Sequence, residues 1–147
     1  MASTLIVDPL DLPGAPPLPA PETGARWLPP GPVHTAVRAG RWWDAIRMGQ
    51  GRAQQVLDWF REQAPRGSAL PGPVIAEVAG PRSRVYFLVP PTTARRWREP
   101  ETRALGQGSY VVVPPLDSRS HSLHWLVPPV PERRLTPPDL LRQALRT

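Results

Sequence analysis

The chain predicts an α+β domain, a single mixed and largely antiparallel sheet packed by a few helices. Three observations carry that expectation. Short β-prone runs recur along the second half, each closed by Gly or Pro. Three segments show helical apolar spacing. The short, tight links between the late runs favour strands that pair with their neighbours in opposite directions.

Residues 1–32 are read as a disordered leader and residues 33–147 as the folded domain. The leader holds nine of the 23 prolines, five of them in the run from Leu12 to Pro21. Proline lacks a backbone donor and disfavours helix in the residue before it, so the segment samples polyproline II. The rest, about 115 residues, is enough to bury a core without staples.

Val33 to Ala39 fits a short helix, with Val33, Ala36 and Val37 on one side and Gly40 as its stop. In the strand that follows, Trp42, Asp44, Ile46 and Met48 share one face, and Trp43, Ala45 and Arg47 the other. The spacing of Ala53, Val56, Leu57 and Phe60 predicts a helix over 52–63, ended by Pro65. Strands follow at 73–78, 84–89, 109–113 and 122–127, with a helical turn at 92–97. Arg84 to Val89 is apolar on both faces, as a covered central strand must be. Thr136 is placed to cap a last helix whose stripe is Leu140, Leu141, Ala144 and Leu145.

No cysteine is present, which excludes disulfides and thiolate metal sites. The first residues carry no secretory pattern and no apolar run is long enough to span a bilayer, so the cytoplasm is expected, without a membrane partner. All 18 basic residues are arginine, the usage of a GC-rich genome and also a good match to phosphate. The charge is uneven. Residues 1–32 hold three acids against Arg26, whereas the rest holds 17 arginines against nine acids. A basic folded part suits a polyanion.

Catalytic patterns are sparse. His121 and His124 fall on opposite faces of a strand and His34 lies elsewhere, so no metal site and no cofactor is expected. There is no G-x-S-x-G elbow, and Gly106-Gln107-Gly108 reads as a β-turn. Glu99 and Glu101 flank Pro100 in a loop rich in Arg95, Arg96, Arg98 and Arg103, read as a solvated and internally compensated charge cluster. Asp44 stands out as an acid in an apolar strand, to be satisfied by a nearby arginine or by an edge position. Trp97 sits within Arg95-Arg96-Trp97-Arg98, a pattern that can grip phosphates and stack a base, or snorkel from a partly buried ring.

From Trp43 to Arg146 the chain resembles the amino-terminal domain of bacterial bifunctional DNA primase/polymerases, of the archaeo-eukaryotic primase superfamily. Trp43-Asp44-Ala45-Ile46 is similar to the strand of that family's first acidic motif. Val85-Tyr86-Phe87-Leu88-Val89-Pro90 is similar to its "YF-x-x-P" strand, and Leu105 to Pro115 to its "GGYVVxPPS" segment. The resemblance implies a primase-polymerase-like fold with Asp44 in the first catalytic position. Where the family's second acid belongs, this chain has Ile46 and Arg47, and an arginine replaces the histidine expected before "YF". A degenerate domain is therefore expected. It would serve as a nucleic-acid-binding or replication-accessory protein, with Arg82, Arg84, Arg95, Arg96, Trp97 and Arg98 as contacts and Asp44 vestigial. The alternatives are a protein-interaction module with a proline-rich leader, and an active primase/polymerase in which Glu77 joins Asp44.

Overall fold

The computed structural model describes residues 27–28, 33–64, 71–129 and 134–147. Its described elements run β1 (Thr35–Arg38), β2 (Asp44–Gly49), α1 (Gln50–Gln63), β3 (Val74–Glu77), β4 (Arg84–Val89), a 3-10 turn (Thr93–Arg96), β5 (Thr102–Leu105), β6 (Tyr110–Val113), β7 (Leu123–Val127) and α2 (Pro138–Arg146). The α+β class stands, with two sheets where one was expected. A five-stranded sheet has the order β5-β2-β4-β3-β7, and β1 pairs with β6 in a separate ribbon. Every strand pairing is antiparallel. Within the larger sheet, β2-α1-β3-β4 followed by β5 has the connectivity of a split β-α-β unit.

Three layers result. On one face of the large sheet, Ile46, Met48, Val85, Phe87 and Val89 pack against Ala53, Val56 and Phe60 of α1 and Leu141, Ala144 and Leu145 of α2. On the other, Ala45, Ile75, Leu88 and Leu105 pack against Val37, Val111 and Val113 of the ribbon. The central strand β4 alternates between these clusters, which is why it is apolar on both faces.

Four expectations are corrected. Residues 35–38 form a strand because Val37 and Thr35 turn inward opposite Val111 and Val113, a period of two that outweighs the helical spacing of a very short segment. Thr102–Leu105 is a strand where a charged loop was expected; it adds an edge to β2 through Ala45↔Leu105 to Met48↔Thr102. Thr136 does not cap α2. It is buried, its hydroxyl accepts the Gly72 N–H at 2.7 Å, and α2 starts without a side-chain cap. The two backbones come so close there that a Cβ on Gly72 would collide with Arg134 and Thr136.

The fourth correction concerns the domain boundary at residue 32. The leader reading lies outside the described residues except at Trp27 and Leu28. Trp27 is buried, 5.6 Å from Trp43 in an edge-on contact and 6.0 Å from Trp125. The packed unit thus includes Trp27. No helix among the described residues is long and apolar enough to cross a membrane.

Candidate nucleic-acid interface

Asp44 opens β2 on the helix side of the sheet, beside Ile46 and Met48, and is 1% exposed. Among the described residues neither an arginine salt bridge nor an edge position satisfies it. Its Oδ2 accepts the backbone N–H of Ala94 at 2.8 Å, and the Thr92 amide also favours the charged form. Burial raises the Asp44 carboxyl above its ordinary range, with those two amides and the Arg95 charge pulling the other way. Its Oδ1 is buried without a partner among the described residues.

Asp44 therefore anchors the turn that follows β4. Pro90 closes the turn by accepting the Thr93 hydroxyl at 2.6 Å. Thr92 holds a left-handed φ of 74°, a strain of about 1–3 kcal/mol for a side chain of this kind. Gly106 makes the approach possible: a Cβ there would lie 2.9 Å from the Ala94 Cβ and 3.5 Å from Asp44 Oδ2. The product is a rigid turn that presents Arg95 and Arg96 to solvent.

Arg142 of α2 stands opposite, and with Arg95, Arg96, Thr93 and Pro91 it lines an open cleft of about 450 Å³. Arg142 is held in place by Asp139 at 2.9 Å and by stacking 5.1 Å over the Trp97 ring. Arg95 and Arg96 form no ion pair among the described residues. Their charge is free to meet an anion.

The remaining expected contacts separate. Trp97 is removed from the interface: it is 5% exposed, packs in the helix-side core, and donates its Nε1–H to Thr102 Oγ1 at 2.8 Å. A buried ring offers no face to a base. Arg98 is exposed and donates to the backbone carbonyl of Trp97 at 2.8 Å. Glu99, beside it, is buried and bound by two hydrogen bonds from Arg146 at 3.1 and 2.7 Å. Those bonds hold the Glu99 carboxyl below its usual range, against the opposing effect of burial. Arg84 lies at the start of β4 and Arg82 in the turn before it, whereas Arg95 and Arg96 follow its far end. Five residues of strand, about 17 Å at 3.3 Å each, separate the two groups.

The same geometry bears on the metal site implied by the family resemblance. The strand position that shares Asp44's face is Ile46, which is fully buried, and Arg47 points to the other side. Glu77 pairs with Arg84 while Asp44 pairs with Val89, at opposite ends and on opposite faces of the sheet. It accepts the Tyr86 hydroxyl at 2.9 Å. Glu77 cannot join Asp44. Among the described residues no three His, Asp or Glu side chains converge, so the residues present do not fit a two-metal site.

Arg142 was not singled out from the sequence, because its place beside Arg95 exists only after α2 docks. Its one local signal is Asp139 three residues earlier on the helix. Comparison with family models, with curated proteins and with solved structures gives no match for this chain.

Proposed function

We propose that this chain is a nucleic-acid-binding module on a primase-polymerase-like fold, without nucleotidyl transfer of its own. The observation that carries the reading is the use made of Asp44. The acid that would hold a cation in a catalytic relative is turned inward on backbone amides, and what it fixes there is a turn bearing Arg95 and Arg96, unpaired among the described residues. Guanidinium groups on a rigid turn suit phosphodiester oxygens, since their planar donors match phosphate without further ordering.

A titration of labelled single- and double-stranded DNA and RNA tests this. Wild type should bind with strong salt dependence, and Arg95→Gln/Arg96→Gln should lower the salt slope by roughly 0.7 to 0.9 per lost phosphate contact. No template-dependent incorporation with magnesium or manganese is expected; incorporation that vanishes in Asp44→Ala would overturn the non-catalytic part. The second reading, a protein-interaction module, draws on the outer face of the ribbon, where Tyr110 and Val112 are 56% and 48% exposed. Absence of nucleic-acid binding at low salt would favour it.

A further inference from the structure

Among the described residues, the sheet face away from the helices is only half covered. The ribbon and the indoles of Trp27, Trp43 and Trp125 sit over the half that holds Ala45, Leu88, Ile75 and Leu105. Toward the far end of β2 the same face carries Arg47, Arg84, Arg103, Tyr86 and Glu77. The alternation of the strands places them there: Ile46, Met48, Val85, Phe87 and Ala104 all pack on the helix side.

Within this group Arg47 on β2 and Arg103 on β5 are direct cross-strand partners. Like charges directly opposite, with Cβ atoms about 4.5–5.5 Å apart, destabilise a sheet. Arg84 and Arg103 form no ion pair among the described residues, and Glu77, cross-strand from Arg84, accepts the Tyr86 hydroxyl. Between them lies Gly49, which is paired with Arg84 and two residues along from Arg47. A Cβ at Gly49 would meet nothing within 4 Å, so the sheet surface beside Arg84 is open there. Arg82 adds a fourth positive charge from the adjoining turn.

We infer that Arg47, Arg84 and Arg103 form a second phosphate-binding surface, which takes the backbone of a single-stranded nucleic acid beside Tyr86. The inference rests on the nucleic-acid reading and extends it to the opposite face of the sheet. An anion between Arg47 and Arg103 reduces the repulsion that the cross-strand pair otherwise sustains. The half-buried Tyr86 ring adjoins the arginines, the combination of aromatic and basic groups that holds single strands. A duplex keeps its bases paired and stacked, so only a single strand can set phosphates on the arginines and a base against Tyr86.

The test uses the full chain and a labelled oligodeoxythymidine of about 15 nucleotides, with a duplex of equal length alongside. Arg84→Gln/Arg103→Gln is compared with Arg95→Gln/Arg96→Gln and wild type between about 50 and 200 mM salt. Loss of two single-strand phosphate contacts lowers the salt slope by about 1.4, so the affinity lost over that range shrinks by about sevenfold. The expected result is that change for the single strand, little change for the duplex, and a melting temperature no lower than that of wild type. An unchanged single-strand slope in Arg84→Gln/Arg103→Gln overturns the inference, and does so alone if Arg95→Gln/Arg96→Gln is weakened. Equal loss on the duplex overturns the single-strand assignment. A wild type that binds neither nucleic acid sinks this surface together with the proposed function.

Discussion

Replacing Asp44 by alanine removes the acceptor that holds the 92–96 turn. The Ala94 amide loses its 2.8 Å bond, and the Thr92 amide loses the same partner. Hydrogen bonds to a charged group contribute about 1.5–3 kcal/mol each, and release from burying a charge offsets part of that. A net loss of about 2–4 kcal/mol follows, or roughly 8–16 °C in melting temperature for a domain of this size. Asp44→Asn keeps one acceptor oxygen and removes the charge, so its effect should stay within about 1 kcal/mol. The two variants also differ in pH response. Burial raises the Asp44 pKa above its unfolded value, so the folded state holds that proton longer. The stability this contributes is fully present below the ordinary carboxylate range and is lost as pH rises through the raised value. Asp44→Asn should therefore gain on wild type across that window as pH increases. Thermal melts from about pH 3 to 8 read both effects. An Asp44→Ala protein as stable as wild type, with unchanged DNA affinity, would refute the anchoring role.

Other outcomes follow from single contacts. Trp27→Ala, or removal of residues 1–32, should cost about 3 kcal/mol by thermal melting, because the indole seals the core against Trp43 and Trp125. Gly106→Ala should cost about 1–3 kcal/mol and weaken DNA binding together, since the new methyl meets the Ala94 Cβ. Arg146→Ala should lower the melting temperature at pH 7 and converge with wild type in acid. Glu99 has a depressed pKa, so its stabilisation is present above the ordinary carboxylate range and lost as pH falls through the folded value.

What the sequence disclosed tracks the range of each interaction. Helix α1 and strand β4 were legible because each repeats one pattern over several residues, and that pattern is the burial itself. Strand β1 was misread because Val33, Ala36 and Val37 satisfy a helical spacing over too few residues to decide. Its partner Val111 lies far along the chain. Strand β5 was hidden by Arg103, a charge at a sheet edge that reads locally as loop. Asp44 was legible as an anomaly, but its partner is a backbone amide 50 residues away. The Arg-Arg-Trp-Arg run was legible as basic and aromatic. Whether its tryptophan faced water depended on Thr102 and α2. Arg47 was assigned to the correct strand face by alternation alone, yet its opposition to Arg103 required the register of a strand that local pattern did not show.

Direct measurement of wild-type affinity for a single-stranded oligonucleotide across salt concentration bears most closely on the proposed function. Binding through the Arg95–Arg96 turn and the Arg47, Arg84 and Arg103 surface engages on the order of four phosphates, and the logarithm of affinity should then fall with a slope near −3 against the logarithm of salt concentration. That is a loss of roughly fiftyfold between about 50 and 200 mM. No detectable binding to DNA or RNA at about 50 mM salt, or an affinity indifferent to salt, would contradict it.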